Sequence, residues 1–87
     1  MTILRFHGAA KLLWHNLFIS GDGKTVLAVL EYASNKLPRF SPLIYNREKK
    51  TIKGLIVLDG KLITNNDLNE AVFLRTVLDI YFPIIGG

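Results

Sequence analysis

Thr25-Val26-Leu27-Ala28-Val29-Leu30-Glu31-Tyr32-Ala33-Ser34-Asn35-Lys36-Leu37 is the stretch on which the fold turns. Val26, Val29, Leu30, Ala33 and Leu37 recur at the spacing that puts side chains on one side of an α-helix. A helix from about Thr25 to Leu37 is therefore expected. Thr25 or Asp22 can cap it by accepting a backbone N–H bond, and Pro38 stops it. Gly21-Asp22-Gly23 before it reads as a turn. A single apolar stripe covers one sheet face and leaves the other bare.

The flanks supply the sheet. In Ile3-Leu4-Arg5-Phe6-His7, Leu4 and Phe6 alternate with Arg5 and His7, the period of a half-buried strand. Asn16-Leu17-Phe18-Ile19-Ser20 reads as its antiparallel neighbour. The connection between them carries Leu12, Leu13 and Trp14, all expected to fold back onto the core edge. Downstream, Leu55-Ile56-Val57-Leu58 is a continuous apolar run, the pattern of a strand buried on both faces. Asp59-Gly60 is a hairpin turn, and Lys61-Leu62-Ile63 returns from it. Asn65-Asn66-Asp67 is a turn or helix start. In the last strand, Val77 to Phe82, Leu78, Ile80 and Phe82 share one face, and Asp79 and Tyr81 the other. The order is β-β-α-β-β-β, with Leu4, Phe6, Val26, Leu30, Ile56, Leu58, Leu78 and Ile80 as the expected core. Residues 38–53 form a long polar connection, unusual in a compact domain. It reads as a short strand around Leu43-Ile44-Tyr45 or as an insertion.

With 87 residues the chain makes one domain that buries a little over ~60% of its unfolded surface. That leaves little room for a deep pocket. The absence of cysteine excludes disulfides, a thiolate nucleophile and thiolate-held metal. The start shows no basic segment followed by a long apolar one, so no signal peptide is expected. The longest apolar candidate, Ala71 to Ile85, is broken by Arg75 and Asp79, short of the about 18 apolar residues of a membrane span. A cytoplasmic protein is the expectation. Net charge is +4, concentrated in Arg47-Glu48-Lys49-Lys50-Thr51-Ile52-Lys53. This run reads as a solvated loop, and nucleic acid is not expected as a partner.

Side-chain chemistry is sparse. His7 and His15 are the only histidines, and neither has a carboxylate at ligand spacing, so no metal site is expected. His7 belongs on a strand face. No Gly-x-Ser-x-Gly context surrounds any serine. Asp59 and Asp79 have no partner acid nearby in sequence. Attention falls on the end of the chain, Tyr81-Phe82-Pro83-Ile84-Ile85-Gly86-Gly87. A free Gly-Gly carboxylate suits activation by ATP, because glycine has no Cβ and threads a narrow channel.

Four motifs occur in order along the chain: Phe6-x-Gly8/Ala9, Gly23-Lys24-Thr25-Val26-x-x-Val29-Leu30, Val57-Leu58-Asp59-Gly60, and Ile80-x-Phe82-Pro83-x-x-Gly86-Gly87. With them the chain resembles the MoaD/ThiS superfamily of ubiquitin-like sulfur carriers over its whole length. The tail is most similar to that of the small subunit of molybdopterin synthase and of archaeal ubiquitin-like modifiers. The resemblance implies an α+β fold, the β-grasp, in which a mixed four- to five-stranded sheet packs on one main helix. It implies a β-grasp domain over 1–82 and a tail over 83–87. The chain departs from the pattern at Val72-Phe73-Leu74-Arg75-Thr76, where the family usually has Leu-x-x-Gly-Asp. It is also basic where members are often acidic.

The resemblance further implies that Gly87 is the reacting residue, with Gly86, Ile85, Ile84 and Pro83 binding in a partner's tunnel. An E1-like activating enzyme would use ATP and Mg²⁺ to adenylate Gly87. No cofactor is expected to stay bound to the carrier. A persulfide donor would yield the thiocarboxylate, and with the tail inserted into the large subunit of molybdopterin synthase its sulfur would pass to a pterin precursor. The carrier alone is then not an enzyme. Two other readings stay open: a modifier joined to lysines through Gly87, and a β-grasp interaction module that is never activated.

Overall fold

The computed structural model describes residues 2–19, 24–72 and 76–82. The expected turn at Gly21-Asp22-Gly23, the segment Phe73-Leu74-Arg75 and the tail Pro83 to Gly87 lie outside them. In chain order the strands are β1 (Thr2–Phe6), β2 (Leu17–Ile19) and β3 (Lys24–Thr25), then helix α1 (Val26–Lys36). A kinked helical turn (Phe40–Leu43) precedes β4 (Tyr45–Asn46), β5 (Thr51–Ile52), β6 (Leu55–Leu58), β7 (Lys61–Ile63), β8 (Ala71–Val72) and β9 (Thr76–Tyr81). Single 3-10 turns span Gly8–Leu12 and Asn65–Asp67.

The main sheet has five strands in the order β2-β1-β9-β6-β7. β1 runs parallel to β9, and every other neighbour in this sheet is antiparallel. The first and last strands are therefore partners at its centre, with Leu4 opposite Leu78 and Phe6 opposite Ile80. The mixed sheet on one main helix is the arrangement expected from the sequence.

Helix α1 forms where the stripe predicted it. Thr25 is its N-cap, and its hydroxyl accepts from the Ala28 amide at 3.1 Å. The next two orphan amides, Val26 and Leu27, donate to the carbonyls of Glu70 and Leu68 at 2.9 Å. Val26, Val29, Leu30 and Ala33 are fully buried. They meet Leu4, Phe6, Ile56, Leu58, Leu78 and Ile80, so all eight expected core residues are buried in one cluster. Asp59 (φ 47°) and Gly60 (φ 89°) form the tight turn between β6 and β7. Two successive residues at positive φ match the twist of a hairpin.

Three expectations need correction. β6 is buried on one face only: Ile56 and Leu58 point to the helix, while Leu55 is exposed and Val57 half-buried. One helix covers one face, so a continuous apolar run here loads the open face instead. Second, Trp14 enters the core, but Leu12 and Leu13 stay exposed. The 3-10 turn that ends at Leu12 spends its inward position on Ala10. Third, residues 38–53 are no loose insertion: they do hold a short strand, at Tyr45–Asn46, slightly later than expected. Phe40, Ile44 and Tyr45 are fully buried, and β4 and β5 pair as a small hairpin.

That hairpin is fastened to the helix by one carboxylate. Glu31 accepts from the Tyr45 hydroxyl at 3.1 Å, Arg47 Nε at 2.9 Å and Lys50 Nζ at 3.3 Å. Burial and this hydrogen bond push the Tyr45 hydroxyl up to about 12. Burial alone would raise Glu31, yet its three donors hold it below the ordinary carboxylate value. Part of the basic run thus has a structural use.

Candidate functional site: the end of the last strand

The described chain ends at Phe82, where β9 gives way to Pro83, so the site is built around the strand's last residues. Phe82 is half-buried. Its ring lies 5.8 Å from Trp14, which in turn meets Phe6 at 5.3 Å and Phe40 at 5.8 Å. The indole N–H of Trp14 donates to the Pro38 carbonyl at 2.8 Å. An aromatic cluster of this kind holds each ring by area and by edge geometry. It fixes Phe82, the residue that follows β9.

Tyr81, one residue earlier, faces the other way. Its ring stacks on His7 at 4.7 Å with 15° between planes. Its backbone is opposite Leu55 in the ladder. Gly54 lies beneath it so closely that a Cβ there would sit 2.8 Å from the Tyr81 carbonyl oxygen. The amides of Lys53 and Gly54 both donate to the Ile44 carbonyl, at 2.7 and 2.9 Å. The long connection therefore braces the end of β9, a role its polar composition did not suggest.

Two residues further back, Asp79 gathers the polar groups of the open face. Arg5 Nε donates to Asp79 Oδ1 at 2.9 Å and Arg5 Nη2 to Oδ2 at 3.3 Å. His7 Nε2–H donates to Oδ1 at 2.6 Å. Burial would raise the Asp79 carboxyl, but these donors outweigh it and hold it below its ordinary value. The same pairing raises Arg5. His7 thus lies on the strand face where the alternation of β1 put it. The alternation also put Arg5 and Asp79 outward, and the parallel register brings them level. Sequence reasoning missed this contact because it crosses 74 positions.

Around this polar centre the open face is apolar. Phe18 pairs with Ile3, and Leu62 with Val57. Phe18 is 59% exposed, Leu62 55%, Leu55 39% and Tyr81 38%. Patches like this mark surfaces that meet other proteins. Phe18 is thus an edge residue, whereas Trp14 and Phe40 are core and Tyr32 is partly buried. Asp59 serves the fold: its carboxylate accepts from the Val77 amide at 3.0 Å. Among the described residues no three His, Asp or Glu side chains group in a way that could hold a metal ion. No helix among them is long and apolar enough to cross a membrane. The sequence-derived site residues Pro83, Ile84, Ile85, Gly86 and Gly87 all lie beyond the described residues. What the structure supplies is the platform that carries them.

No protein-family model matches the chain, and no curated protein sequence matches it. Solved structures do. The small archaeal modifier protein 1 of Methanosarcina acetivorans superposes with a TM-score of 0.75 at 21% identity, over 99% of this chain and 95% of that one. The protein of the same name from Haloferax volcanii gives 0.73 at 15% identity, over 99% and 98%. Urm1 from Trypanosoma brucei gives 0.70 at 12% identity, over 99% and 94%. The chain has the ubiquitin-like β-grasp fold of these structures.

Proposed function

We propose that the chain is a ubiquitin-like sulfur carrier whose working group is the Gly87 carboxylate. The observation that carries this reading is a β-grasp fold whose central strand β9 runs into Pro83-Ile84-Ile85-Gly86-Gly87. Pro83 lacks a backbone donor and cannot extend the ladder. The tail then enters a partner's channel, with Ile84 and Ile85 making apolar contacts and Gly86 passing the narrowest point.

In the proposed cycle an E1-like enzyme binds ATP and Mg²⁺. A Gly87 carboxylate oxygen attacks the α-phosphorus, forming the acyl-adenylate and releasing pyrophosphate. The terminal sulfur of a donor persulfide attacks the acyl carbon, and AMP leaves. A thiol reductant then attacks the donor-side sulfur of the resulting acyl disulfide, which frees the thiocarboxylate. The thiocarboxylate is a nucleophile on a tether, so its delivery is a proximity effect. Sulfur transfer to a pterin precursor in molybdopterin synthesis, with the tail held by the synthase large subunit, is the acceptor reaction we favour.

A second reading is conjugation to protein lysines, in which a lysine amine displaces AMP. It is favoured by the likeness to two proteins that are themselves called modifiers. Intact mass separates the two after incubation with the activating enzyme, ATP, Mg²⁺ and a persulfide donor. The carrier gains the mass difference of one sulfur replacing one oxygen, whereas the modifier appears as an adduct on another chain. Deleting Gly87 should abolish either product and leave the melting curve unchanged. Gly86→Val should do the same, because a β-branched side chain restricts the backbone and widens the tail. Normal product from the chain lacking Gly87 would refute the assignment.

A further inference from the structure

Beside the end of β9 lies the segment Lys11-Leu12-Leu13-Trp14-His15-Asn16, which no part of the fold or of the proposed cycle uses in full. Leu12 is 87% exposed and Leu13 40%, although both are leucines next to a core tryptophan. The neighbouring Lys11, Trp14, His15 and Asn16 line an open cleft of about 290 Å³. Among the described residues neither Lys11 nor His15 has an ion-pair partner. The Asn16 side-chain oxygen accepts from the Phe6 amide at 3.3 Å, and its NH₂ group is a donor. Lysine, a histidine ring and an amide NH₂ together favour an anionic guest. The other wall, Trp14, is the ring that holds Phe82. A guest in the cleft is thus one aromatic ring away from the root of the tail.

We propose that this patch is a docking site for the activating partner that takes the tail. The partner inserts a carboxylate side chain between Lys11 and His15 and covers Leu12 and Leu13 with apolar surface. The exposed leucines argue for a protein rather than a free anion, since an inorganic ion would leave them in water. Lys11 on the cleft complements an acidic partner side chain. This inference rests on the carrier reading for the identity of the partner.

The test measures ATP–pyrophosphate exchange by the E1-like enzyme of the same organism as a function of carrier concentration. Lys11→Glu and Leu12→Ser should each raise KM about tenfold with kcat unchanged, the signature of lost binding without lost chemistry. The KM of the unaltered carrier should rise with salt, and that of Lys11→Glu should rise less. Both positions are exposed, so the melting curves should not move. In a second measurement, backbone amide resonances of residues 11–16 should shift when the enzyme is added without ATP. Unchanged KM in both variants, or shifts that skip 11–16, would overturn the docking site and leave the carrier reading standing. No exchange with the unaltered carrier would overturn both.

Discussion

Trp14 sits between Phe82 and Pro38, its ring 5.8 Å from the first and its N–H bonded at 2.8 Å to the carbonyl of the second. Trp14→Ala removes a buried aromatic and should cost about 3–5 kcal/mol in denaturant melts. Trp14→Phe keeps a ring but loses the bond to the Pro38 carbonyl, for about 0.5–1.5 kcal/mol. A loss below that range for the alanine variant would show that the cluster is slack. Trp14 is also the only tryptophan, so its fluorescence should report a partner arriving at the tail root.

Gly54 is required by the close approach of β9. A Cβ would meet the Tyr81 carbonyl at 2.8 Å and Ile44 Cδ1 at 3.1 Å. Backbone oxygen cannot step aside as a side-chain end can. Gly54→Ala should therefore destabilise by about 1–3 kcal/mol, the usual cost of overpacking. Its amide spectrum should show the largest changes at Tyr81 and Phe82. A neutral substitution would mean that β9 can shift freely at this point.

Tyr45 should make the protein sensitive to alkali. Its hydroxyl is held near 12 against an ordinary 10.0, first by burial and then by its bond to Glu31. A raised value means the neutral form is favoured in the folded state. The stability it supports is full below pH 10.0 and is lost as pH rises toward 12. Thermal melts across that window should fall steeply, and less steeply for Tyr45→Phe. Equal slopes for the two proteins would contradict the assignment.

Asp79 works in the opposite direction. Its carboxyl lies below the ordinary 3.8 because Arg5 and His7 donate to it despite burial. Its contribution is present above pH 3.8 and disappears as pH falls through the lowered value. Asp79→Asn should lower the melting temperature near neutrality, and the gap from the unaltered protein should close in acid. A gap that is constant with pH would mean that the ion pair adds nothing beyond shape.

Much of this molecule could be read in its residues because two periodicities are clean. The 3.6-residue stripe of Val26, Val29, Leu30 and Ala33 and the two-residue alternation of β1 and β9 both report local geometry. Leu55 to Leu58 misled because an apolar run carries no period, so the open face could not be told from the buried one. Phe40 and Ile44 were hidden by the polar residues around them. Their i, i+4 spacing was the available signal. Leu12 and Trp14 are both large apolar side chains, and the sequence pattern does not say which goes inward. The Arg5–Asp79 pair depends on a parallel register between distant strands, which no local pattern encodes. The contacts of Gly54 with Tyr81 and of Trp14 with Phe82 likewise join segments far apart in the chain, and no local pattern announced them.

The central place of β9 bears on how the protein is made. A ribosome delivers β1 first and β9 last, yet β9 is the strand that joins the β1–β2 hairpin to the β6–β7 hairpin. Until it emerges, the growing chain holds the β1–β2, β4–β5 and β6–β7 hairpins unjoined, and a helix with half a surface to lie on. Such pieces are only marginally stable alone. Folding must then wait for the stretch that immediately precedes the tail. A chain broken off early would lack both the tail and a stable fold, and would be open to proteolysis instead of competing for the activating partner.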